Sequence, residues 1–148
     1  MKALVQRVEA AAVEAGGRIV GRIGRGLLVF LCAEPGDGAG EVAKLARKIA
    51  RLRIFEDAQG KMNLALAEVG GAVLVVSQFT LAADIRRGNR PSFAGAAPPE
   101  LGERLYREFC DVLRTEGLPV ETGVFGARMK VRLINDGPVT IWMDSARL

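Results

Sequence analysis

The sequence predicts a single mixed α/β domain spanning residues 1–148, with mainly antiparallel, barrel-like β-sheet and two helices packed on its outside. Three observations carry this. Apolar residues recur at helical spacing in two stretches, one near residue 45 and one near residue 107. The remaining apolar runs are short, and Gly, Pro, Asn and Asp bound them, as strands and turns require. A chain of 148 residues that is 49% hydrophobic is enough for one substantial core.

Each element follows in order. "LVQRVEAAAVEA" and "RIVGRI" flank Gly16-Gly17 and read as a hairpin. "GLLVFLCA" is a continuous apolar run and reads as a buried strand, and "EPGDG" as a turn. Val42, Leu45, Ala46, Ile49 and Leu52 form the stripe of an amphipathic helix whose other face carries Lys44, Arg47, Lys48 and Arg51. "LRIFED" either extends that helix or begins a strand. "AQGKMNLALAEVGG" is mostly loop. "AVLVVSQFTL" reads as a central strand, followed by a long loop, "AADIRRGNRPSFAGAAPP". Pro98 and Pro99 open a second helix with Leu101, Leu105, Phe109, Val112 and Leu113 inward and Gly117 at its end. Gly102 is a weak point in it. "PVETGVF", "MKVRLIN" and "VTIWMD" read as three closing strands, the last two joined by a turn at "NDGPVT".

The composition narrows the chemistry. The chain has no histidine, which excludes Ser-His-Asp and Cys-His nucleophile pairs and a histidine general base. Cys32 and Cys110 belong to no C-x-x-C pair and read as core residues, so no disulfide, metal or cofactor is expected. The net charge of +4 suits a polyanionic partner without demanding one. No apolar run reaches the ~18–20 residues that span a bilayer. The first residues lack a signal-peptide core, so the expected location is the cytoplasm.

Three stretches could carry function. "SQFTL" ends the central strand, and alternation would put Ser77, Phe79 and Leu81 on one side, Gln78 and Thr80 on the other. Its polar groups either line a cleft or satisfy local backbone. "DIRRGNRPSF" holds Arg86, Arg87 and Arg90, a set suited to phosphate or simply to solvent. "NDGPVT" is a turn by composition, but its Gly137-Pro138 bond is of the kind that adopts cis at modest cost.

Together with "QRV", "LRIFED-x-x-GKMNL", "RPSF-x-x-AAPPE" and "VETGVFGA-x-M", these stretches resemble the D-aminoacyl-tRNA deacylase family over essentially the whole chain. The resemblance implies a homodimer that hydrolyses the ester joining a D-amino acid, or glycine, to the terminal adenosine of tRNA. It implies a cis Gly137-Pro138 bond, with Asn135 beside it, inserted from one subunit into the pocket of the other. Two main-chain carbonyls would there obstruct an L side chain. It places oxyanion stabilisation near Ser77, Gln78, Phe79 and Thr80, with the substrate's own 2′-hydroxyl assisting. It further implies that Phe125 and Met129 lie near the terminal adenine, that the arginine loop meets RNA, and that Arg7 braces the Gly-Pro segment. Cys32, Ala82 and Asn89 depart from the family's usual residues. Two other readings are a non-catalytic tRNA-binding module and a dimeric structural protein.

Overall fold

The computed structural model describes all 148 residues. Its centre is a six-stranded sheet ordered β2 (Arg18–Ile23), β1 (Lys2–Ala15), β3 (Gly26–Cys32), β6 (Ala72–Ser77) and β7 (Val120–Thr122), with β8 (Lys130–Asp144) along the other side of β1. Helices α1 (Ala39–Ala50) and α2 (Pro99–Thr115) complete the core architecture, and β4 (Phe55–Glu56) and β5 (Met62–Leu64) form a small separate ribbon.

The sheet is mixed, with antiparallel pairing in the majority. β1 is antiparallel to β2, β3 and β8, whereas β3–β6 and β6–β7 are parallel. The reason is connectivity: parallel neighbours need a crossover, and each helix lies in one of these two crossovers. Both helices bury their stripes on one face of the sheet. Val42, Leu45 and Ile49 of α1 and Leu105, Phe109 and Leu113 of α2 join Val5, Val29 and Val75 in the main core. Phe109 is completely buried, so truncating it to alanine would cost about 3–5 kcal/mol.

A second core of Val8, Ala11, Val13, Ile23, Leu28, Leu74 and Val76 fills the other face. It is enclosed because the sheet curls. β2 passes so near β7 that a Cβ at Gly21 would meet Thr122 O at 2.4 Å. This close approach without a ladder gives the barrel-like form.

Three local expectations need correction. The central strand stops at Ser77, and Phe79–Ala82 form a 3-10 turn instead of continuing the alternation. "PVETGVF" contributes only the three residues of β7. "NDGPVT" does not join two strands: residues 130–144 are one strand, interrupted by a bulge. Gln6 pairs with Thr140 and Val8 with Asn135, so one residue of β1 faces the four residues 136–139 of β8. "LRIFED" resolves into strand β4 after the helix has ended.

Candidate active site

The bulge is held by side chains on both sides. Arg7, the β1 residue opposite it, is buried, yet no carboxylate pairs with it. Its Nε donates to Asp136 O at 2.8 Å and its Nη1 to Ile54 O at 2.7 Å. Asn135 closes the loop from within. Its Oδ1 accepts from Val139 N at 2.8 Å, and its Nδ2 donates to Thr140 Oγ1 at 3.0 Å. The Gly137-Pro138 bond is cis, and both residues are exposed.

A cleft of about 690 Å³ opens where β3 and β6 end. Ser77, Gln78 and Phe79 form one wall, and Phe125 and Met129 another. Leu31, Val76 and Val131 extend the apolar lining. Gln78 N donates to Leu31 O at 2.8 Å, which fixes the start of the 3-10 turn to β3. Thr80 does not itself line the cleft. Its Oγ1 accepts from Gln78 Nε2 at 2.5 Å, leaving the hydroxyl proton free to be donated elsewhere. The first N–H groups of a helical turn have no partner within it, so the main chain of Phe79 and Thr80 presents donors beside the cleft.

Several lining residues carried no clear signal in the sequence. Phe93 packs edge-to-face on Phe79 at 5.1 Å and ties the arginine loop to the turn. Tyr106 packs against Phe125 at 5.9 Å and donates its hydroxyl to Val75 O at 2.9 Å. Burial, with Cys110 nearby, raises its pKa, so it is a fixed neutral wall. Gly102 lies under Phe125, whose Cζ would be 3.5 Å from an added Cβ. An alanine there would only touch the ring, whereas a longer side chain would run into it, and a glycine kept inside an amphipathic helix was the sequence's hint. Cys32 sits at the base of the cleft with its thiol donating weakly to Phe79 O at 3.6 Å.

The arginine loop is divided. Asp84 and Ser92 pair across its neck. Arg86 grips Asp84 at 2.6 Å, and its guanidinium lowers the Asp84 pKa to about 2. Arg87 and Arg90 are exposed and lack ion pairs. The Asn135–Pro138 segment is separate from the cleft and contributes nothing to its lining within one chain. No group of three or more His, Cys, Asp or Glu is placed to hold a metal.

With this geometry in place, comparison with known proteins is informative. The family model described as D-Tyr-tRNA(Tyr) deacylase matches residues 4–144. The chain is 62% identical over 144 residues to a D-aminoacyl-tRNA deacylase of Ruegeria pomeroyi, covering 97% of this chain and 99% of that one. Among solved structures, one titled c-Myc DNA Unwinding Element Binding Protein superposes with a TM-score of 0.90 at 42% identity, covering 97% of this chain and 98% of its own. Another, titled as a probable eukaryotic D-amino acid tRNA deacylase, has a TM-score of 0.80 at 19% identity and shares the fold, with 96% and 97% covered. The chain, matched from its first strand to its last by that family model, belongs to the D-Tyr-tRNA(Tyr) deacylase family.

Proposed function

We propose that the protein hydrolyses the ester bond of D-aminoacyl-tRNA, and of glycyl-tRNA mischarged on tRNA-Ala, releasing the amino acid and free tRNA in the cytoplasm. The observation that carries this reading is the cleft itself: an apolar wall at Phe125 and Met129 together with the polar end of β6 at Ser77–Phe79, with Thr80 held behind Gln78. An adenine would rest on the aromatic and thioether surface. The esterified carbonyl would then reach the turn, where the N–H groups of Phe79 and Thr80 take up developing negative charge. Gln78 positions the Thr80 hydroxyl, which orients the ester. Water completes the hydrolysis with the neighbouring 2′-hydroxyl as proton carrier, so no histidine is required.

Chirality would be read by a second copy of the chain. Gly137 and Pro138 are exposed in the bulge of β8 and do not line their own cleft, and in the sequence they fall between Ile134 and Trp142, which are 55% and 48% exposed. A homodimer covers these two side chains and delivers the segment to the partner's cleft. Main-chain carbonyls there block an L side chain, while a D side chain points elsewhere and glycine has none. Arg87 and Arg90 contact the tRNA backbone from the loop.

The test is release of amino acid from D-tyrosyl-tRNA and L-tyrosyl-tRNA. Hydrolysis of the D ester alone is expected. Equal release from both overturns the chiral reading, and binding without release favours a tRNA-binding module.

A further inference from the structure

Met129, just before β8, and Val131 within it line the cleft, and the residues that alternate with them turn outward. Arg128, Lys130 and Arg132 are all exposed, and they flank the cleft rim. On the far side of β1, Arg22 extends the same surface, because Arg132 and Arg22 both pair with Ala12. The main chains of these two arginines thus stand two strands apart, about 10 Å, over a residue too small to separate or neutralise them. Like charges on one sheet face oppose folding unless something else compensates them.

Neutralisation within the chain is slight. Glu14 is the one carboxylate within 4 Å of any of these four cations, at 3.8 Å from Lys130 and 3.5 Å from Arg132. Both cations of those pairs are well exposed, so the pairing is weak. Four cations against one acid leave an excess of three, most of the net charge of +4 carried by the entire chain.

We infer that Arg22, Arg128, Lys130 and Arg132 form a phosphate-binding surface for the acceptor stem of the tRNA whose 3′ end occupies the cleft. The inference rests on the deacylase reading, because that reading puts the terminal adenosine against Phe125 and Met129. The stem must then leave over the rim beside residues 128–132, where Lys130 and Arg132 are fixed on β8 and Arg128 immediately precedes it. Such contacts read backbone rather than sequence.

The experiment compares the parent with the triple variant Arg22→Gln, Arg128→Gln, Arg132→Gln on two esters, D-tyrosyl-tRNA and D-tyrosyl-adenosine, across a salt series. With the tRNA, kcat/KM is expected to fall roughly tenfold or more at low salt, and its log–log salt slope to flatten by about 2–3. With the adenosine ester, which has no stem, kcat/KM is expected to be unchanged. The single variant Lys48→Gln, which removes an exposed cation from α1, controls for net charge and should leave the tRNA rate within twofold. An unaltered salt slope in the triple variant, equal losses on both esters, or an equal loss in the Lys48 variant overturns the surface. A parent that cleaves neither ester overturns the deacylase reading and the inference with it.

Discussion

Arg7 is a buried cation whose partners include two carbonyls rather than a carboxylate, and its removal makes a sharp prediction. Arg7→Met keeps much of the side-chain volume and deletes both donors. Ile54 is 8% exposed, so its carbonyl loses its partner where water enters poorly, at a cost of about 1–3 kcal/mol. Asp136 is exposed, so solvent can replace the second bond and the loss there is nearer ~1 kcal/mol. Relief from desolvating the guanidinium offsets part of the total. A net destabilisation of about 1–3 kcal/mol lowers the midpoint of thermal unfolding by roughly 2–12 °C for a chain of this size. The same change frees the 136–139 bulge, so the ratio of D- to L-tyrosyl-tRNA hydrolysis should fall along with stability. Thermal unfolding followed by circular dichroism and paired hydrolysis assays measure the two effects. An unchanged midpoint and an unchanged D/L ratio would refute the assignment of Arg7 as the brace of the bulge.

Other consequences are as specific. Thr80→Val should lower kcat about a hundredfold, the scale of losing one preorganised polar group at a reacting carbonyl, while costing at most ~1 kcal/mol of stability. Gly102→Ala should stabilise α2 by up to ~1 kcal/mol with little change in KM, since its Cβ makes ordinary contact with Phe125, whereas Gly102→Leu should raise KM tenfold or more; chemical denaturation and steady-state kinetics separate these. The Asp84 carboxyl should titrate at about 2 by NMR, and Arg86→Gln should return it toward 3.8. Because its folded pKa is lowered, the stabilisation from this pair is complete above 3.8 and disappears as pH falls through about 2. Burial raises the Cys32 pKa, with Glu34 adding to the effect, and pushes Cys110 up to about 12, so neither thiol should react with a disulfide reagent at pH 8 until the protein is denatured.

Legibility in the sequence followed how local each signal was. The Gly16-Gly17 hairpin, the apolar run of β3 and the stripes of α1 and α2 are periodic over short windows, and the structure contains all four. The parallel pairing of β6 was not legible, because which strands become neighbours depends on how the helices cross the sheet. "NDGPVT" misled for a related reason: its residues are turn formers, but pairing with β1 continues on both sides of it and makes it a bulge. In "SQFTL" the alternation ended early because Gln78 bonds back to Leu31 and starts a turn.

The site shows the same division. Ser77, Gln78, Phe79, Phe125 and Met129 come together at one cleft, whereas Thr80 stands behind Gln78 and Asn135–Pro138 lie elsewhere in the chain. Tyr106 and Phe93 were missed because a tyrosine on an apolar helix face and a phenylalanine in a loop look like ordinary packing. Only the fold brings them to Phe125 and Phe79.

The proposal that one chain supplies the cleft and its partner the selecting segment is tested most directly by mixed dimers. One chain carries Thr80→Val, with an impaired cleft and an intact segment. The other carries Asn135→Ala and Pro138→Ala, with an intact cleft and a loosened segment. The second chain alone should hydrolyse L-tyrosyl-tRNA as well as the D ester, and mixing should restore preference for the D ester at the surviving clefts. A mixed dimer that remains as unselective as the second chain alone would contradict the account.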